Sequence, residues 1–268
     1  GQHISTIPLM TLQELRLPVL LLAGFTLAAP TLARAWETEK VSRTFPISAE
    51  GTVSLDNVNG AVEIVAWDQP EVAVEAEIRG KTVDDLKRIR VEFESDATRL
   101  AVKTKLEKKP GLLWGDSPRG EVRYLLRVPR GVSLKKISTV NASIKITGVR
   151  GEVIAKTVNG RIEASGLASQ GKFDTVNGSI VADYAGTTGV NRIDLDTVNG
   201  TCTLRLPAGA TGRLRADTVN GSVACELPVT IEKSTRRSLR GTIGTGPMQI
   251  SLESVNGSLR VESKPEQS

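Results

Sequence analysis

Apolar residues in this chain recur on alternate positions in short runs, and a returning phrase sets the runs in phase. The phrase reads DNVNG at Asp56–Gly60, STVNA at Ser138–Ala142 and KTVNG at Lys156–Gly160. It returns as DTVNG at Asp174–Gly178, Asp196–Gly200 and Asp217–Gly221, and as ESVNG at Glu253–Gly257. Three residues after the Asn stand Val62, Ile144, Ile162, Ile180, Cys202, Val223 and Leu259. Five after it stand Ile64, Ile146, Ala164, Ala182, Leu204, Cys225 and Val261. Polar or tolerant residues such as Glu63, Lys145 and Glu163 lie between, so each run predicts a half-buried β-strand. Four residues before the Asn, Leu55, Ile137, Ala155, Phe173, Leu195, Ala216 and Leu252 mark a second short strand. Between the two strands the alternation slips by one residue. A slip turns side chains to the opposite face, so the chain must bend or bulge at the Asp-Thr pair. The Val before the Asn shares the parity of the downstream row and is expected to point inward.

From Asn141 to Asn220 the asparagines step by 18, 18, 22 and 21 residues. A period of that length marks a chain built by stacking one small unit. The longer interval from Asn220 to Asn256 holds Leu239-Arg240-Gly241-Thr242-Ile243, which reads as a degenerate copy with Arg240 in the Asn place. Two architectures fit. Asn-Gly can close tight hairpins in an antiparallel meander. Alternatively each repeat is one turn of a single-stranded β-solenoid, with equivalent residues in columns about 4.8 Å apart. Only stacking requires the same Val-Asn-Gly and the same apolar columns in every unit, so the expected fold class is an all-β solenoid.

Residues 131–262 form the repeat region on this reading, and 263–268 a polar tail. Residues 36–130 are less regular and read as a β-rich cap. They hold alternating segments at Glu71–Ile78, Arg88–Glu94, Leu100–Lys105 and Glu121–Val128, a helical turn at Asp84–Lys87, and one early repeat at Val58-Asn59-Gly60. The short tail looks too small to cover the last unit, which opens the way to end-to-end self-association.

Ahead of the cap, Leu17–Ala29 is an apolar run preceded by Arg16 and followed by Ala33-Arg34-Ala35. That is the layout of a secretory signal peptide over residues 1–35. The run is short for a spanning helix, which needs about 20 apolar residues. The expected location is therefore the periplasm or cell surface, with no transmembrane span in the mature chain. A net charge of +5 and 3 % aromatic residues give no electrostatic footprint and no stacking platform for nucleic acid. Export permits a disulfide between the two cysteines, Cys202 and Cys225. Adjacent units would hold them about 8 Å apart, however, beyond the reach of a bridge, so two buried small hydrophobes are the simpler reading.

Candidate chemistry is sparse. The single histidine, His3, precedes the signal segment, which excludes His-based catalysis and His metal sites from the mature chain. Asp174, Asp196 and Asp217, with Asp56 and Glu253, sit three residues before the Asn and would stack as an acidic column. Such a column could bind Ca²⁺ or serve a polysaccharide-active enzyme. Asp before a bend more simply accepts backbone N–H bonds, and Lys156 and Ser138 interrupt the column. No cofactor is expected. The column of Asn59, Asn141, Asn159, Asn177, Asn199, Asn220 and Asn256 reads as a structural amide ladder. Lys103, Lys105, Lys108, Lys109, Arg236, Arg237 and Arg240 are candidates for contact with anionic lipid or polysaccharide, and Trp114 for an exposed apolar contact.

The Val-Asn-Gly phrases with their apolar columns resemble the bacterial "putative adhesin" β-repeat families of exported proteins, related to auto-transporter adhesin head domains. Phe45-Pro46-Ile47, Gly51–Leu55, Trp67-Asp68, Glu71-Val72 and the Val128-Pro129-Arg130-Gly131 junction carry the same likeness. It covers nearly all of the mature chain and departs at Ala142 and Arg240-Gly241. The resemblance implies a non-enzymatic envelope protein acting as a binding or scaffolding surface. Its partner would be an envelope protein, a polysaccharide or a further copy of itself. The alternatives are a β-helix polysaccharide-active enzyme and a self-assembling envelope element.

Overall fold

The computed structural model describes residues 36–109 and 116–264. The expected signal segment, His3 and Trp114 lie outside the described residues. The first strands are β1 (Glu37–Pro46), β2 (Thr52–Asp56), β3 (Val62–Trp67) and β4 (Glu71–Gly80). After the short helix α1 (Val83–Lys87), capped by Thr82, come β5 (Ile89–Ser95), β6 (Arg99–Leu106) and β7 (Gly120–Pro129). The repeats follow as β8 (Ser133–Ser138), β9 (Ile144–Thr147), β10 (Val153–Lys156), β11 (Ile162–Leu167), β12 (Gly171–Asn177) and β13 (Ile180–Tyr184). Next are β14 (Arg192–Asn199), β15 (Cys202–Pro207), β16 (Gly212–Asn220) and β17 (Val223–Cys225). The last described strands are β18 (Val229–Thr235), β19 (Ser238–Ile243), β20 (Met248–Asn256) and β21 (Leu259–Lys264).

The fold is all-β, in two large mixed sheets, neither of them closed. One sheet runs β1-β4-β7-β3-β9-β11-β13-β15-β21-β17, the other β18-β19-β16-β20-β14-β12-β10-β8-β2-β6-β5. Every phrase lies where one strand of a unit ends in one sheet and the next begins in the other. Within the repeats each strand pairs in parallel with its equivalent: Ile144, Ile162, Ile180 and Cys202 face one another in turn, as do Ala155, Phe173 and Leu195, with register shifts between Val153 and Ala155 and between Ala164 and Leu167. The inward rows of both sheets meet in one hydrophobic core that runs the length of the stack. Residues 36–130 extend the same two sheets and finish them with antiparallel strands, β1 on β4 and β5 on β6.

Three expectations change. The Val before the Asn does not point inward: Val140, Val198, Val255 and Val219 are 38, 39, 41 and 55 % exposed. The residue one place earlier is buried instead, as Thr139, Thr157, Thr175, Thr197, Ser254 and Thr218. The parity slip therefore falls after this residue rather than before it. Second, Leu239–Ile243 is not a degenerate unit. It belongs to β19, which pairs antiparallel with both β16 and β18, so Arg240 lies opposite Arg215 and outside the Asn column. Third, the C-terminal unit does not end the stack. β20 lies between β14 and β16, and β21 between β15 and β17, so the last unit in sequence is the second to last in space.

The glycine of the phrase is set by the distance between units. A Cβ on Gly160, Gly178, Gly200, Gly257 or Gly221 would run into a backbone carbonyl of the unit it stands on. Gly178→Ala should therefore cost about 1–3 kcal/mol of overpacking strain. Gly209→Ala, whose Cβ would meet open space, should stay within about 0.5 kcal/mol. Urea unfolding midpoints of the two variants check this; equal midpoints would mean that the units can spread.

Candidate functional site

At the bend the phrase lays down four parallel columns. The Asn column is continuous: the Nδ2 of Asn141 donates to Oδ1 of Asn59 at 2.8 Å, Asn159 to Asn141 at 2.9 Å, and Asn177 to Asn159 at 2.8 Å. Asn199 then donates to Asn177, Asn256 to Asn199 and Asn220 to Asn256, each at 2.8 Å. Each side-chain carbonyl inside the ladder accepts from the next amide, so a like-on-like column is self-satisfying. Beside it, the hydroxyls of Thr175, Thr197, Ser254 and Thr218 donate to the carbonyls of Gly160, Gly178, Gly200 and Gly257 at 2.8–3.2 Å. In the first unit Asn57 takes this place. Its amide reaches Val122 O and Gly60 O, each at 2.9 Å, and Thr104 and Tyr124 complete a buried polar chain.

The other two columns face solvent. Register brings Lys156, Asp174, Asp196, Glu253 and Asp217 together in that spatial order. With Val176, Val198, Val255 and Val219 they line an open groove of about 430 Å³. Carboxylates form one wall, valines the other, and the buried Thr/Ser column the floor. Four units at one strand spacing apiece make it roughly 14 Å long between the outermost carboxylates.

The carboxylates are not equivalent. Burial alone would raise Asp217, but hydrogen bonds from Ser238 at 2.6 Å and Arg215 at 2.9 Å hold it below the usual carboxylate range. Asp56, far along the same column, is likewise opposed by burial and brought low by Lys136 and Ser138. Asp196 has no such partner. Burial, then the neighbouring Asp174, Glu253 and Asp194, push it up to about 6.

Of the predicted acidic residues, Asp174, Asp196, Glu253 and Asp217 are thus brought together, with Glu253 set between Asp196 and Asp217 by the inserted unit, while Asp56 is held apart by Ser138 and Lys156. Among the described residues no group of three or more His, Cys, Asp or Glu converges to hold a metal ion. A line of carboxylates on parallel strands does not enclose a point. The exposed valines were missed; their repetition in every phrase was the available signal. The basic candidates do not form one patch. Lys103 and Lys105 stand on β6 and Arg240 on β19, near opposite ends of one sheet. Lys105 pairs with Glu92, Lys109 with Asp84, and Arg240 with Asp217.

Cys202 and Cys225 are free thiols with β21 between their strands, too far apart to bridge. Cys202 is a buried core residue, its thiol pushed up to about 12 by burial and then by Asp196. No helix among the described residues is long and apolar enough to cross a membrane.

No protein-family model and no curated protein sequence matches the chain. Solved structures do. A "putative cell adhesion protein" from Clostridium sporogenes is similar over 85 % of this chain and 100 % of its own, at 12 % identity and a TM-score of 0.51. A "putative adhesin" from Bacteroides fragilis covers 84 % of this chain and 97 % of its own, at 9 % identity and a TM-score of 0.31. A "putative lipid binding protein" from Parabacteroides distasonis covers 85 % and 97 %, at 12 % identity and a TM-score of 0.30. The Clostridium likeness is one of fold, and the name it bears agrees with the adhesin-type resemblance read from the Val-Asn-Gly phrases.

The state of Asp196 sets a pH dependence with a definite sign. The folded chain holds this proton more tightly than the unfolded chain, so folding gains from it at low pH. That gain is lost as pH rises from about 4 to about 6. Asp196→Asn should therefore stabilise the protein at pH 7.5 by about 1 kcal/mol, after allowing for solvent screening of a half-buried group. At pH 4 it should change little. Urea titrations at both pH values check this; an equal gain at both would point to packing rather than charge.

Proposed function

We propose that this chain is an exported, non-enzymatic binding surface of the bacterial envelope. On this reading the two registered parallel ladders are the faces of one β-solenoid, each repeat giving a strand to either face. The solenoid is a rigid rail, and the groove along its bend is where a partner lies. The carrying observation is the alignment of four carboxylates opposite four valines across four successive units.

That pairing of walls defines the partner's chemistry. An extended segment with cations on one side and small apolar groups on the other would match both columns at once. Parallel strands repeat at about 4.8 Å and side chains on one face of an extended peptide at about 6.6–6.8 Å, so the segment would run across the units without pairing one to one. A cationic stretch of an envelope protein fits better than a neutral polysaccharide, for which the valine wall and the uncompensated Asp196 offer little. The Clostridium sporogenes protein of the same fold, which bears a cell-adhesion name, supports a binding role.

One observation favours an enzyme: Asp196, pushed up to about 6 by burial and then by Asp174, Glu253 and Asp194, keeps its proton to a higher pH than an ordinary carboxyl, as a general acid requires. The groove is open to water along its length, however, and burial with carboxylates stacked on either side is enough to raise Asp196 without any catalytic role.

The test is binding of a labelled peptide of alternating Lys and Val, measured by fluorescence anisotropy at low and high salt. An alternating Glu-Val peptide and an uncharged glycan serve as controls. The Lys-Val peptide should bind, weaken as salt screens the charges, and lose about tenfold in affinity in Asp196→Asn/Glu253→Gln. Val198→Thr/Val255→Thr should weaken it separately, with less effect on salt dependence. Equal binding of all three probes, or binding unchanged in both variants, would overturn the groove reading. Polysaccharide hydrolysis abolished by Asp196→Asn would establish the enzyme instead.

A further inference from the structure

The units at Arg192–Pro207, Gly212–Cys225 and Met248–Lys264 follow one another in sequence but not in space. From β17 the chain runs out through the β18–β19 hairpin, which covers the outer side of β16. It then passes the beginning of β16, where Gly212 lies opposite Ile243 on one side and Met248 on the other. It re-enters between two units that precede it in sequence. The link is only residues 244–247, with Gly244 at φ +54° and Gly246 packed against Thr211.

The slot that receives Met248–Lys264 recognises a unit rather than a chain. Its walls offer the register every other unit uses: Asp196, Glu253 and Asp217 in line, and Asn199, Asn256 and Asn220 in line. The inserted unit is fixed by backbone ladders on both sides, by the Asn199–Asn256–Asn220 amide bonds, and by two ion pairs. Arg205–Glu262 closes at 2.8 Å and Lys264–Asp183 at 2.7 Å. None of these contacts requires that the unit and the slot belong to the same molecule. An element held by lateral pairing on a short link is the arrangement from which domain swapping arises at little cost.

We propose that Met248–Lys264 is an exchange element through which two copies of this chain join. In the joined form each copy places its C-terminal unit in the other's slot. The middle of each groove is then completed by Glu253 and Val255 of the partner, because in the single chain those two side chains come from the inserted unit. The proposal does not depend on what the groove binds.

The test uses the purified chain carrying Cys225→Ser, to remove the half-exposed thiol, with Arg205→Cys in one variant and Glu262→Cys in another. The two positions face each other across β15 and β21. The variants are mixed, unfolded in urea, refolded over a range of protein concentrations, oxidised and resolved on a non-reducing gel. Exchange gives a covalent heterodimer whose share rises with concentration and exceeds that from either variant alone. The double variant Arg205→Cys/Glu262→Cys, refolded dilute, should give an internally linked monomer, which shows that the slot still forms. In parallel, the unsubstituted chain refolded at high concentration should yield a species of twice the monomer mass by light scattering. An internally linked double variant with no heterodimer at any concentration would overturn the proposal. Should the cysteine variants fail to fold, an unsubstituted chain that refolds only to monomer at every concentration would do the same.

Discussion

In a parallel ladder held at constant register, each residue faces its equivalent in the neighbouring unit at one strand spacing, about 4.8 Å. That spacing governs the rest of this molecule. Once Ile162 lies beside Ile180 and Phe173 beside Leu195, the neighbouring places from Gly171 to Asn177 and from Ile162 to Ala164 are committed to columns as well. A side chain in such a column must tolerate a near copy of itself as neighbour. Apolar residues do so by packing into the core. Gly178 and Gly200 do so by having no Cβ to strike the carbonyl beneath them. Asn does so because an amide carries donor and acceptor together, so one geometry repeats from Asn59 to Asn220 without an unmatched partner inside the ladder.

Carboxylates are the exception, because a column of like charges repels itself. The chain relieves this at the flanks of the acidic stretch. Lys156 stands next to Asp174 on one side, and Ser238, Arg215 and Arg240 gather on Asp217 on the other. The middle is left uncompensated, and the cost collects on Asp196. A fold that only needed to stack could have placed Ser or Lys there, as it does at Ser138 and Lys156. The uncompensated pair Asp196 and Glu253 lies beside the exposed Val198 and Val255, so charge and apolar surface meet in the middle of the groove.

Much of this was legible in the sequence, because periodicity and register express the same constraint. The inward rows, the Asn column and the acidic column could be listed by residue number before any coordinates. The direction of the Val before the Asn could not. Alternation shows that parity slips between two strands but not at which bond, and the slip falls one residue later than the Asp-Thr pair implied. The burial of Thr175 and Thr197, whose hydroxyls are used on glycine carbonyls, is what decides it. Leu239–Ile243 misled for the opposite reason. Its apolar spacing matches a unit, but a strand in an antiparallel hairpin buries alternate residues just as well.

The spatial order of the units was illegible in principle, and the same physics explains why. If every unit offers its neighbour the same register, the order of stacking is set by the links and the ends rather than by the faces. Both ends of the stack are made unlike the middle. β1 and β5 close one end as antiparallel partners bearing Glu37, Glu39, Lys40, Arg43, Arg90 and Glu92. At the other, the charged β18–β19 hairpin covers β16, and β17 is only three residues long. Charged or short edges discourage addition of a further strand. The ends therefore give a second copy little template on which to continue the columns. The interior does give one where the chain interrupts its own order to admit Met248–Lys264, as it also does to admit β2 and β3 between later units. Interchangeable faces make the stack easy to extend, and they leave the out-of-order junction at Met248–Lys264, joined by a short link, as a position where two molecules could exchange parts while keeping the same ladder contacts.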